Sequence, residues 1–162
     1  VTPNVSAFLA TIRHSEGTDR AADPYRVVFG YKHTIVNLSG HPTSTGEWMG
    51  EPLADAMCIA AGLNPPCKST AAGAYQITHS TWEGLKAILK LSDFTGPSQD
   101  DAAIQLIKNK HALDLVFAGR VADAITACRG IWASLPGSNV GQPTRTFTDL
   151  INIYASNGGT FA

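Results

Sequence analysis

FLATIRHSEGTDR, Phe8 to Arg20, is the stretch on which the reading of this chain turns. Together with Val5, the residues Phe8, Leu9 and Ile12 fall at i, i+3, i+4 and i+7, the spacing of a helix with one apolar stripe. Pro3 and Asn4 open that helix and Gly17 closes it. Four residues beyond Ile12 the stripe reaches Glu16, a carboxylate where a hydrophobe is expected. Desolvation and the negative end of the helix dipole both oppose its charge, so an inward Glu16 has a raised pKa. A glutamic acid kept protonated near neutral pH suits a general acid that must protonate a poor leaving group such as a sugar oxygen. The stripe alone is equally compatible with a helix-end Glu16 turned to solvent beside Thr18 and Asp19.

Composition narrows the classes. The 162 residues are one domain's worth, and the expected organisation is a single domain over 1–162. Hydrophobic residues make up 44% and charged ones 15%, without charge runs, which excludes a disordered or fibrous chain. A net charge of −1 with scattered Lys and Arg argues against nucleic acid as the main partner. No stretch approaches the roughly 20 apolar residues of a membrane span, so no stable membrane association is expected, and the first residues lack a secretory pattern. Three cysteines do not describe a disulfide framework. Cys58 and Cys67 flank IAAGLNPP and can pair if oxidised, whereas Cys128 lies in a helical pattern and reads as a buried thiol.

Past the first helix, Tyr25–Phe29 and Thr34–Leu38 are β-rich runs separated by a Gly-containing turn and predict a small hairpin. Residues 39 to 70 are loop-rich, interrupted by PLADAMCIAAG, a short helix expected to begin at Pro52 and to end before Gly62. Ser80 and Glu83 form a capping-box pattern ahead of Leu85, Ile88 and Leu89, and Ser98 begins the next helix through Ile104 and Ile107 toward Gly119. Val121, Ile125, Cys128 and Trp132 share a face of another helix, and Phe147, Leu150, Ile151 and Tyr154 mark the last. The expected fold class is α+β, mainly helical with a small β element.

Two further stretches carry chemical signals. STAAGAYQI, Ser69 to Ile77, is a small-residue loop ending in Tyr75 and Gln76, groups of the kind that hold sugars, although a plain tight turn entering a helix explains it as well. IWASLPGSNVGQPTR, Ile131 to Arg145, is a Trp-bearing helix followed by a loop that reads as a binding element or a connector. Trp132 is read as core and Trp48 as an outward aromatic. The five histidines show no metal-ligand spacing, so neither a metal nor a cofactor is expected. A Gly-x-Ser-x-Gly elbow is also missing, and His14 is read as a surface residue.

In order, SEGTD (15–19), HP (41–42), KSTAAGAYQ (68–76), SQD (98–100) and IWASLPG (131–137) resemble the phage lambda-type endolysins over nearly the whole chain. The resemblance implies a lysozyme-like fold with a small β element flanking a substrate cleft. It further implies lytic transglycosylase cleavage of peptidoglycan between N-acetylmuramic acid and N-acetylglucosamine, with Glu16 as the single catalytic carboxylate. Ser69, Tyr75 and Gln76 match residues that line the cleft, and the loop after Trp132 matches one of two mobile lips. The implied partner is the bacterial glycan strand. The implied state is a monomer that waits in the host cytoplasm until it is released to act in the periplasm. A water-using muramidase on the same bond, with a second acid among Asp19, Asp23, Glu47 and Glu51, is the alternative, and a noncatalytic peptidoglycan-binding protein is a third. Two features depart from the family pattern: a longer segment between Pro42 and Lys68, and a near-neutral charge where wall-degrading lysins are often basic.

Overall fold

The computed structural model describes residues 1–137 and 145–162. The helices are α1 Pro3–Glu16, α2 Pro42–Thr45, α3 Asp55–Ala60, α4 His79–Leu89, α5 Gly96–Asn109, α6 Leu113–Phe117, α7 Val121–Cys128 and α8 Phe147–Ser156. Two short strands, β1 Glu51–Pro52 and β2 Lys68–Ser69, pair antiparallel with Glu51 opposite Ser69 and Pro52 opposite Lys68. The fold is therefore mainly helical with a small two-stranded sheet. Its residues divide into two compact units, 1–20 with 103–162, and 21–102.

In the first unit α1 packs on α8 and α6. Val5, Phe8, Leu9 and Ile12 are buried, as the stripe requires, with Ile107, Val116, Ile125, Trp132, Leu135, Leu150 and Tyr154 completing the core. Thr2 caps α1 by accepting from the Val5 amide. Asn4 ties the start of α1 to two other segments: its Nδ2 donates to the Phe117 carbonyl at 3.2 Å, and its Oδ1 accepts from the Thr160 amide at 2.9 Å. Val121, Ile125, Cys128 and Trp132 are each buried, but the helix expected to carry all four ends at Cys128 and Trp132 follows outside it; burial pushes the Cys128 thiol up to about 12. That removes it from thiolate chemistry.

The second unit is built from side chains bonding backbone, and here the expected hairpin is corrected. Tyr25 and Arg26 lie in a 3-10 turn (Pro24–Arg26), Phe29 begins another (Phe29–Tyr31), and only Val27 bridges to Thr34. Val28 pairs with Ala72 instead. The competing bonds explain the difference. Arg26 Nη1 donates to the carbonyls of Ile35 and Val36, both at 2.9 Å, and the amides of Val36 and Asn37 donate to the Glu47 carboxylate, both at 2.8 Å. Side-chain partners thus satisfy groups that a ladder would use, and β propensity loses. Burial pushes the Glu47 carboxyl up, but the Asn37 and Val36 amides and His33 outweigh it and hold the group below its ordinary range.

Other boundaries move as well. The helix expected at Pro52 begins at Asp55, because Pro52 lies in β1, where its missing N–H costs an edge strand little. Thr78 rather than Ser80 precedes α4, and Glu83 accepts from the Ser44 hydroxyl at 2.9 Å instead of reaching back in a capping box. α5 starts at Gly96, two residues before the expected Ser98, with Asp93 Oδ1 accepting from the Thr95 amide and the Thr95 and Ser98 hydroxyls. Trp48 is not an outward aromatic: it is 8% exposed, and its Nε1 donates to Glu51 at 3.3 Å.

Cys58 and Cys67 are joined in a disulfide, which closes α3 back onto the approach to β2. With nine residues of separation, the chain-entropy argument gives the bond about 2.5 kcal/mol. The Cys58→Ala/Cys67→Ala variant is accordingly expected to lose about that much in denaturant unfolding, and wild type in a reductant should fall to the same midpoint. An unchanged midpoint in both would show that the bond constrains nothing.

His41 is fully buried against Trp82's neighbour Phe94. Its Nε2 donates to the Ile77 carbonyl at 2.9 Å, so Nδ1 is the acceptor for the Thr43 hydroxyl at 2.7 Å. Burial lowers its pKa to about 4; His79 adds to that effect, while the Ile77 carbonyl and Glu83 oppose it. The imidazole is therefore neutral at pH 7.

Candidate active site

Glu16 is the last residue of α1, and its position depends on how that helix stops. Gly17 takes φ 75°, and its N–H returns to the carbonyls of Arg13 and His14. A side chain there is strained by that φ, and a Cβ would stand 3.2 Å from Arg20 Nη2. The Ser-Glu-Gly sequence thus ends the helix just past the carboxylate.

Glu16 is half-buried, not fully exposed, so the inward reading of the stripe holds in this structure. Ser134 Oγ donates to its Oε2 at 3.1 Å, and Ser15 Oγ lies 2.7 Å from Ser134 Oγ. Both serines are buried, at 4% and 6% exposure. Burial pushes the Glu16 carboxyl up from 4.5 to about 7, against the Ser134 bond, which pulls it down. At neutral pH the group populates both protonation states, as a group that donates and then accepts a proton must.

Ser134 is itself held firmly. The turn around it closes with the Leu135 amide on the Trp132 carbonyl at 3.1 Å, and the Arg145 amide donates to the Ser134 carbonyl at 2.9 Å. His14 is bonded elsewhere. It sits between two carboxylates, Nδ1 2.7 Å from Asp19 and Nε2 3.2 Å from Asp149, and links α1, the turn after it and α8. The expected surface residue is thus a half-buried link.

Ser69, Tyr75 and Gln76 belong to the second unit. Ser69 is half-buried in β2, and its Oγ accepts from the Ala71 amide at 3.3 Å. Tyr75 is buried, and its hydroxyl donates to Asp100 Oδ1 at 2.6 Å, on the same oxygen that receives the Tyr25 hydroxyl at 2.9 Å. Gln76 takes φ 49°, and its amide donates to the carbonyls of Gly73 and Val27 at 2.9 and 3.3 Å. The loop is held on α5 by Gln99, whose Oε1 accepts from the Ala74 amide at 2.9 Å while Nε2 donates to the carbonyls of Phe94 and Tyr25 at 2.7 and 3.0 Å.

Sequence reasoning did not single out Ser15, Ser134, Gln99 or Asp100. The available signal was a polar residue inside a motif already noted: Ser15 within SEGTD, Ser134 within IWASLPG, Gln99 and Asp100 within SQD. The loop expected after Trp132 falls largely on residues 138–144, which lie outside the described residues. Among the described residues no cluster of three or more His, Cys, Asp or Glu side chains is placed to hold a metal ion, and no helix is long and apolar enough to cross a membrane.

A family model described as Endolysin matches residues 6–161. The chain belongs to the endolysin family. As an endolysin it is a peptidoglycan-degrading enzyme of the phage type. It is 38% identical to the endolysin of Escherichia phage P2 over 156 residues, which cover 96% of this chain and 93% of that relative. With the endolysin of Escherichia phage lambda it shares 35% identity over 159 residues, 95% of this chain and 90% of the relative. The fold is similar to that of bacteriophage lambda lysozyme complexed with a chitohexasaccharide, with a TM-score of 0.83 and 34% identity over 100% of this chain and 98% of the other. A second structure of lysozyme from bacteriophage lambda gives a TM-score of 0.79 at 32% identity with the same coverage. The lysozyme-like fold expected from the ordered motifs is the fold of this endolysin.

Proposed function

We propose that this endolysin cleaves the glycan strand between N-acetylmuramic acid and N-acetylglucosamine as a lytic transglycosylase, with Glu16 as its single acid and base. The observation that carries the reading is a half-buried carboxyl at the end of α1, raised to about 7 and held by a buried hydroxyl. Protonated Glu16 gives its proton to the glycosidic oxygen as the bond to C1 breaks, and the electron pair leaves with that oxygen. The resulting carboxylate takes the proton of the muramic acid C6 hydroxyl, whose oxygen closes on C1 to form the 1,6-anhydro ring. Nucleophile and electrophile are parts of one sugar, so proximity supplies much of the advantage that a second carboxylate gives a hydrolase, within a ceiling of roughly 7 to 11 kcal/mol.

The lambda lysozyme structure with a bound chitohexasaccharide supports a glycan chain as the ligand. In this reading Ser69 and Gln76 contact the sugar through side-chain oxygens, and Tyr75, buried on Asp100, contributes by setting the loop that presents them. The enzyme works as a monomer and needs no cofactor. It stays in the host cytoplasm until it is released to the wall.

Mass spectrometry of the soluble products of digested peptidoglycan tests the reaction. Products one water lighter than hydrolysed muropeptides are expected. Free reducing muramic acid ends would mean that water attacks and that a second acid is at work. A separate expectation concerns pH: because the acid form of Glu16 starts the reaction, kcat/KM on soluble glycan fragments should fall about tenfold per pH unit above pH 7. A rate that stays level to pH 9 would exclude Glu16 as the acid.

A further inference from the structure

Ser15 and Ser134 are contributed by α1 and by the turn after α7, yet their hydroxyls meet in the core at 2.7 Å, and Ser134 alone of the two reaches Glu16. A hydroxyl has one proton to give. With Glu16 ionised its carboxylate only accepts, so the Ser134 proton goes to Oε2, the proton between the two serines comes from Ser15, and the order of donation is Ser15 to Ser134 to Glu16. Burial of both serines keeps water from substituting for either.

We propose that Ser134 and, behind it, Ser15 are positioning residues that hold Oε2 of Glu16 as an acceptor, so that Oε1 carries the proton exchanged with the sugar. The inference rests on the reading of Glu16 as the acid. In a carboxylic acid the carbonyl oxygen is the better acceptor, so a donor fixed at Oε2 favours the proton on Oε1. When Oε1 gives that proton to the glycosidic oxygen, the Ser134 bond becomes charge-assisted and steadies the carboxylate until Oε1 takes the proton of the C6 hydroxyl. Neither serine loses its own proton at any step.

The same bond offsets part of the effect of burial, which keeps the carboxyl within reach of both states near neutral pH. Other charges surround the site. His14, Asp19 and Arg20 lie on α1 and the turn after it, Asp149 on α8, and the Arg145 guanidinium stands 4.0 Å from where a Gly17 Cβ would be. His14 is engaged by both aspartates. The two effects that move the Glu16 carboxyl are burial and the Ser134 bond.

The test is a carboxyl 13C titration of the protein labelled at glutamate, which has four such residues, with the Glu16 signal assigned by its loss in Glu16→Gln. Kinetics on soluble glycan fragments accompany it. In Ser134→Ala the Glu16 midpoint should rise by about one pH unit and kcat fall about 10- to 100-fold, with KM within about twofold of wild type. Ser15→Ala should move the midpoint in the same direction by less, and the double variant should match Ser134→Ala, because Ser15 acts only through Ser134. Ser134→Thr, which keeps the hydroxyl, should restore both readouts. An unmoved Glu16 midpoint in folded Ser134→Ala, or effects of the two serines that multiply, would overturn the relay. The NMR readout is independent of turnover, so cleavage by Glu16→Gln at the wild-type rate would remove the acid reading while leaving the relay to be judged by titration alone.

Discussion

Glu16→Gln is expected to fold, to bind glycan, and to cut peptidoglycan at least about a thousandfold more slowly than wild type, since glutamine neither gives nor accepts the proton the reaction moves. The same variant should be the more stable protein in alkali. The folded carboxyl is raised to about 7 against an ordinary 4.5, so well below pH 4.5 both states are protonated and Glu16 costs nothing. As pH rises from 4.5 to 7 the unfolded chain ionises first and stability is lost; above 7 the loss levels off. With partial solvent access discounted, the plateau is about 2 kcal/mol. His41 runs the other way: with a folded value near 4 against 6.5, it contributes full stability above pH 6.5 and loses it as pH falls toward 4. Between pH 4.5 and 6.5 the two slopes oppose each other in wild type. Glu16→Gln removes one of them, so its stability should climb through that window while wild type stays nearly level. Urea unfolding from pH 4 to 8 reads both curves, and parallel curves throughout would show that Glu16 is not desolvated in the native state.

Gln99→Ala should cost about 3 to 5 kcal/mol, enough to threaten a domain of ordinary stability. The buried amide serves three backbone groups, the Ala74 N–H and the carbonyls of Tyr25 and Phe94, and alanine removes its bond to each of them and leaves a void where the side chain packs. Gly73 packs against the same side chain: at φ 81°, a Cβ would lie 2.2 Å from Gln99 Oε1, so Gly73→Ala should damage the same contact from the opposite side. Because Gln99 fixes the loop that carries Tyr75 and Gln76, partial loss of loop order should weaken glycan binding before the protein unfolds. Thermal melts and glycan affinity measured on Gln99→Ala check this. A melting temperature within about 2 °C of wild type would mean that the three groups find other partners.

Much of the helical unit was legible in the chain because its signals are local. The stripe Val5, Phe8, Leu9, Ile12 and the stop at Gly17 depend on spacing within one helix; they put Glu16 in line with that stripe, but left open whether its carboxyl turns inward or to solvent. The same holds for Val121, Ile125 and Cys128 on the buried face of α7, although that helix ends at Cys128 and leaves Trp132 outside it, and for the order of SEGTD, KSTAAGAYQ and IWASLPG that marked the family.

What the tertiary structure alone decided are the features made by side chains reaching across the sequence. β propensity at Tyr25–Phe29 and Thr34–Leu38 could not foresee that Glu47 and Arg26 would satisfy backbone groups a hairpin needs. Trp48 looks exposed among Ser, Thr, Gly and Glu, yet it is buried, because burial depends on what packs over it rather than on its neighbours in the chain. Ser134 meets Glu16 across 118 positions, and only folding turns two unremarkable hydroxyls into partners of an acid. Periodicity records which face of an element turns inward; it does not record what that face will meet, and the proton chemistry of Glu16 is set by what it meets.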